Sequence, residues 1–132
     1  MLNFFIGLAL QGKNLTIYGE GQQKRNVLFV EDCVEALLQV AAAENTLGEV
    51  YFASGDDECA IATFAREVVG KGGVDQVPWP EDWVAMDVGD VSISNARIKE
   101  AIDWRPQVAL KDGLLKTRYY YEANMATYLG VG

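Results

Sequence analysis

Apolar residues recur along this chain in short runs at helical spacing, broken by glycines, prolines and acidic turns. Residues 2–11 carry two apolar faces, Leu2, Phe5 and Ala9 on one and Phe4 and Leu8 on the other, and predict a helix capped by Gly12. A helix apolar nearly all round needs cover on more than one side. Residues 15–18 predict a short strand that runs into a turn at Gly19, Glu20 and Gly21, and residues 27–30 predict a second. Asp32 then suits the N-cap of a helix reaching Glu44, with Cys33, Leu37, Val40 and Ala41 at helical intervals. Further on, residues 49–53 predict a strand, and residues 63–69 a helix that pairs Phe64 with Val68 and stops at Gly70.

Gly72, Gly73, Pro78 and Pro80 mark irregular backbone. Ser94 suits the N-cap of a helix carrying Ile98, Ala101 and Ile102 that ends before Pro106. The closing helix runs from Lys111 towards Leu129 and sets Leu114, Arg118, Tyr121, Met125 and Tyr128 on one stripe. Helices mixed with short strands predict a single α/β (mixed α+β) domain over residues 1–132.

Composition narrows the function classes. The chain has 132 residues, half of them hydrophobic and 23% charged, which suits one globular domain that needs no disulfide staples. A net charge of -8 repels a phosphate backbone, so no nucleic-acid partner is expected. The apolar opening is short and lacks a positively charged lead-in, and no stretch approaches the roughly 20 apolar residues of a membrane span. The expectation is a cytoplasmic protein with no membrane partner. Histidine is absent, which removes Ser-His-Asp and Cys-His arrangements and the commonest transition-metal ligand. Cys33 and Cys59 are too few for a disulfide framework or a zinc site and read as packed thiols, so no metal is expected.

Gly19, Glu20 and Gly21 after a strand invite comparison with the dinucleotide fingerprint, but Lys24 stands at its third glycine and a strand follows where a helix should open. A tight turn is the better reading. Gln22, Gln23, Lys24 and Arg25 form the densest donor cluster of an acidic chain; Arg25 can fork onto a phosphate, and on spacing alone a solvated basic loop is favoured. The runs at Asp56, Asp57 and Glu58, at Glu81 and Asp82, and at Asp87 and Asp90 read as solvated charge. Trp79, Trp83, Trp104 and the tyrosines 119–121 read as core or interface.

Taken together, the motifs resemble a known family. IYGEGQQKRNVLFVEDCVEA at residues 17–36 is similar to the I-Y-G-D-G-x-Q-x-R-D-F-x-Y-V-x-D-V-V-x-A stretch of the NAD-dependent nucleotide-sugar epimerases and dehydratases, the extended short-chain dehydrogenases. Gly48 to Tyr51 followed by Ser54 and Gly55 resembles their next strand and glycine loop. IKEAIDWRP at 98–106 resembles their K-x-x-x-x-L-G-W-x-P element, and LKDGLLKT at 110–117 their L-x-E-G-L-x-x-T helix. The resemblance spans about residues 3 to 122 and implies the carboxy-terminal, substrate-binding portion. The family's amino-terminal Rossmann portion holds the NAD loop and a Tyr-x-x-x-Lys pair, and no tyrosine here has a lysine four positions on.

The resemblance therefore implies a non-catalytic nucleotide-sugar-binding domain, with no catalytic residue and no NAD bound by this chain alone. Arg25 matches the arginine that meets the nucleotide diphosphate, and Thr16 and Tyr18 match the stretch lining the base. Asn26 in place of aspartate, Phe52 in place of asparagine, and no basic residue ahead of Asp87 depart from the pattern and imply weaker binding. The expected partners are a second copy of the chain, meeting through residues 2–11 and 49–53, and a nucleotide-sugar. Two alternatives stand beside this reading. One is a subunit of a split NAD-dependent enzyme needing a separate Rossmann subunit; the other is an oligomeric interaction protein that binds no nucleotide.

Overall fold

A computed structural model describes residues 2–85 and 87–129. In chain order the elements are α1 (Leu2–Leu10), β1 (Leu15–Tyr18), β2 (Lys24–Asn26), α2 (Val30–Ala42), a 3-10 turn (Glu44–Thr46), β3 (Glu58–Ala60), α3 (Ile61–Val68), β4 (Val74–Val77), α4 (Glu81–Val84), α5 (Ala96–Ile102), α6 (Leu110–Ala123) and α7 (Met125–Leu129). The mixture of helices and short strands is the expected fold class.

Two small sheets organise the chain. β1 and β4 pair in parallel, Leu15 opposite Val74 and Tyr18 opposite Val77, while β2 and β3 pair antiparallel, Arg25 opposite Cys59. Leu15 and Ile17 point into the main core, where they meet Phe5, Ile6 and Ala9 of α1 and Phe64, Ala65 and Val68 of α3. Strand alternation sends Thr16 and Tyr18 to the opposite face. A second, smaller core gathers Ala36, Ile98 and Trp104, with Leu28, Val40 and Tyr51 packed around it. Cys33 and Cys59 are half-buried, and burial pushes the Cys59 thiol up from its ordinary pKa.

Several elements differ from the sequence reading. Residues 27–30 are not a strand: β2 forms just before them, Phe29 packs over Gly113 at the start of α6, and Val30 opens α2. Asp32 is not the N-cap, because α2 begins two residues earlier, at Val30 after Phe29. Its buried carboxylate instead accepts the backbone N–H groups of Gln107 and Val108, each at 3.0 Å, while the Trp104 indole donates to the Asp32 carbonyl at 3.2 Å. This clamp ties the start of α2 to the segment between α5 and α6. α2 stops at Ala42, where Thr46 turns its hydroxyl onto the Val40 and Ala43 carbonyls.

The strand expected at 49–53 is likewise absent, since no strand among the described residues pairs with it. β4 lies unforeseen between the glycines and prolines that read as irregular. The cap of α5 falls at Asn95 rather than Ser94; Asn95 spends its side chain on Ser54 and Asp56, and the Ser94 hydroxyl accepts the N–H of Ala96 at 3.3 Å. The closing helix breaks at Asn124, whose side chain donates to the Tyr120 carbonyl.

Candidate functional site

β1 delivers Thr16 and Tyr18 to the face turned away from the core. Beyond Tyr18 the chain turns on Gly19 and Gly21, with φ of +63° and +64°, in the left-handed region that glycine enters without strain. The turn is closed by its own neighbours. A Cβ on Gly19 would lie 2.8 Å from Trp79 Nε1, and one on Gly21 would lie 2.9 Å from Ile17 Cδ1. β2 follows it rather than a helix. A dinucleotide pyrophosphate needs open glycine backbone leading into a helix N-terminus, so these residues do not fit NAD.

Around Tyr18 stand two tryptophans. The Trp79 ring lies 5.3 Å away at a tilt of 33°, and the Trp83 ring 5.5 Å away at 66°, edge to face. Such offset and edge-on pairs are the favoured aromatic geometries.

Arg25 lies on β2, half-buried. Its Nη1 donates to the Gly89 carbonyl at 2.6 Å and to the Lys24 carbonyl at 2.7 Å. No carboxylate forms a salt bridge with it among the described residues, although Lys24 beside it meets Glu58 at 3.6 Å. The loop 87–91 is laced to β2: Gln23 Nε2 donates to Asp87 at 3.0 Å, the Lys24 N–H to Asp90 at 2.8 Å, and the Val91 N–H to the Lys24 carbonyl at 3.1 Å. Trp79 and Trp83 thus border Tyr18, and residues 89–91 border Arg25. Of the three residues singled out in the sequence, Tyr18 meets Trp79 and Trp83, Arg25 meets Gly89, and Thr16 stands opposite Asp75 in the β1–β4 ladder. Trp79, Trp83 and the loop carboxylates carry no local signal beyond core packing or solvated charge, and only the fold brings the tryptophans to Tyr18 and the loop 87–91 to β2.

Of the other acidic runs, the one at Asp56 is partnered within the fold. Asp56 accepts from Asn95 at 2.7 Å and pairs with Lys99, and these contacts hold its carboxyl below the usual aspartate range. No group of potential metal ligands occurs among the described residues. A larger concavity, about 1150 Å³, opens between α1, residues 26–31 and α6, walled by Leu2, Ile6, Phe29, Val30, Leu110 and Tyr120 among others. Its walls are mainly apolar, with Asn3, Asn26, Glu31, Lys116 and Thr117 among the polar groups on them. Among the described residues no helix is long and apolar enough to cross a membrane.

Comparisons with known proteins agree with this picture. Residues 1–53 match the NAD dependent epimerase/dehydratase family. A dTDP-glucose 4,6-dehydratase from Neisseria meningitidis is 33% identical over 93% of this chain and 38% of its own length. A UDP-glucuronic acid decarboxylase from Xenopus tropicalis is 32% identical over 92% of this chain and 28% of its own. The crystal structure of a dTDP-glucose 4,6-dehydratase from Bacillus anthracis superposes with a TM-score of 0.81 at 25% identity, covering 98% of this chain and 41% of that one. The chain thus spans about two fifths or less of the length of these relatives. By sequence and by fold it matches one part of the longer members of the NAD-dependent epimerase/dehydratase family.

Proposed function

We propose that this chain is the carboxy-terminal, substrate-binding portion of a nucleotide-sugar epimerase or dehydratase, holding the nucleotide diphosphate through Arg25 with Thr16 and Tyr18 beside the base. The observation that carries the reading is Arg25, a guanidinium with no carboxylate partner among the described residues, fixed by the Lys24 and Gly89 carbonyls. A fixed planar cation is suited to forked contact with a phosphate. The chain performs no redox chemistry alone: its glycine turn does not fit NAD, and no tyrosine has a lysine four positions on.

A Rossmann portion, as a separate subunit, would supply the NAD and the Tyr-Lys pair. Favouring this second reading is α2, which leaves Val30, Val34, Leu37 and Leu38 exposed along one stripe, together with Val50 and Phe52 on the unpaired stretch that follows. Self-association through Phe4 of α1 and the same stretch is the other way to cover these groups, since large exposed apolar patches are uncommon.

Calorimetric titration of UDP-glucose, dTDP-glucose and GDP-mannose, with Arg25→Ala as control, tests the binding reading. Micromolar binding lost in the variant supports it. Silence up to millimolar ligand overturns it and favours an interaction protein.

A further inference from the structure

Three tyrosines meet where α6 turns into α7. Tyr120 lies on α6 and Tyr128 on α7, beyond the break at Asn124, and their hydroxyls bond to each other at 2.9 Å. Tyr121 stands edge-on to both rings, 6.0 Å from Tyr120 and 5.5 Å from Tyr128, and itself packs against the main core. The pair is thus braced by a ring that the core fixes, while each of its members keeps 53% of its surface in solvent.

An exposed phenol has water for a partner, so this bond adds little stability; its effect is to set a geometry. The centroids of Tyr120 and Tyr128 are 5.7 Å apart and their planes meet at 55°. Two phenols touching end to end through their oxygens would hold their centroids well beyond that distance. These rings therefore lean alongside each other, and the carbons ortho to the two oxygens come near one another. In a phenoxyl radical those carbons carry much of the unpaired spin. Tyr119 supplies the contrast: it is the most exposed of the group, yet it has no ring or hydroxyl partner among the described residues.

We propose that Tyr120 and Tyr128 form an oxidation site, joined by a one-electron oxidant into an intrachain dityrosine that staples α7 to α6. With a peroxide as terminal oxidant, acting through a haem peroxidase, each phenol gives up one electron and its hydroxyl proton. The two radicals couple through their ortho carbons. Each of those carbons then releases its hydrogen as a proton, and each oxygen takes one up as the rings regain aromaticity. In sum, two hydrogen atoms pass to the peroxide, which leaves as two waters. Tyr120 also lines the concavity between α1, residues 26–31 and α6, so the staple fixes that wall.

The test treats the full chain, in dilute solution, with peroxide and a haem peroxidase. Expected are dityrosine fluorescence, a monomer lighter by two hydrogens that thiol reductant does not restore, and a cross-linked peptide joining Tyr120 to Tyr128. Met125 and the two cysteines meet the same oxidant, but a sulfoxide adds oxygen and a disulfide is undone by thiol. Because only the paired rings couple within one chain, Tyr120→Phe and Tyr128→Phe each cut the yield roughly tenfold or more, and Tyr119→Phe leaves it unchanged. The phenylalanine variants keep the ring and its packing, and circular dichroism checks that they fold. Fluorescence that persists in Tyr128→Phe, that is found only in covalent dimers and fades on dilution, or that never appears while the same enzyme couples free tyrosine, overturns the proposal.

Discussion

Asp32 and Val108 stand 76 positions apart in the chain, and Oδ2 of the first accepts the backbone N–H of the second at 3.0 Å. The other carboxylate oxygen takes the N–H of Gln107, so one buried side chain satisfies two donors of a segment that enters no sheet. Removing it leaves both part-buried donors without their acceptor. Asp32→Ala should cost about 2–4 kcal/mol, and Asp32→Asn, which keeps one acceptor oxygen, distinctly less. Urea unfolding followed by circular dichroism checks the order.

Glycine substitutions should separate close approach from backbone conformation. A Cβ on Gly55 would lie 2.0 Å from the Val27 carbonyl oxygen, which is backbone and cannot swing away. Gly48 has open space around it but a φ of +77°. Gly48→Ala should therefore cost about 1 kcal/mol, the penalty of a left-handed alanine, while Gly55→Ala costs several times more or prevents folding. Thermal unfolding of the two variants side by side decides it.

Asp103 ends α5 with φ of 52°, at the position where the family pattern carries glycine. Its only side-chain contact among the described residues is an exposed pair with Arg105 at 3.0 Å, of a kind that adds little stability. Asp103→Gly should raise stability by about 0.5–1 kcal/mol, seen as a higher denaturation midpoint at an unchanged slope.

Acid should loosen the second core's flank. Asn95 first, and Lys99 after it, hold the Asp56 carboxyl below its ordinary value in the folded chain. A lowered folded pKa means stability that is present above the unfolded value and fades as pH falls through the folded one. Asn95→Ala should move the Asp56 titration upward in carboxyl-detected NMR and remove part of the stability loss between those two pKa values.

The apolar stripe sets stability against association. Leu37 and Leu38 are 66% and 61% exposed, so polar replacements there should change unfolding by less than about 0.5 kcal/mol. If that stripe, with Val50 and Phe52, is where this chain meets a partner, the same replacements should shift sedimentation towards the monomer or abolish capture of a Rossmann subunit.

What the sequence discloses depends on distance along the chain. α1, β1, α3 and the start of α6 are legible because their signals are local: apolar spacing, glycine stops and a short β-prone run. The alternation that buries Ile17 and exposes Thr16 is legible for the same reason. β4 is not, because its partner β1 comes before Gly19 and nothing near Val74 announces it. Residues 27–30 and 49–53 have strand-like composition, yet a strand needs a neighbour, and composition does not name one. Of the candidate residues, Arg25, Tyr18 and Thr16 stand out through the family resemblance, whereas Trp83 reaches Tyr18 only through the return of the chain along β4.

That return has a consequence for how the protein comes into being. Leu15 bonds to the Gly73 carbonyl and Gly19 to the Val77 carbonyl, so β1 has its ladder only when residues 73–77 exist. On the ribosome, which releases its chain amino end first, β1 waits with unpaired edges through the synthesis of β2, α2, β3 and α3. A parallel pair closing so wide a loop is slow to form, and the waiting edge is open to wrong partners. The newborn chain is thus most at risk before β4 emerges, and a ribosome pausing just short of Val74 would prolong that danger.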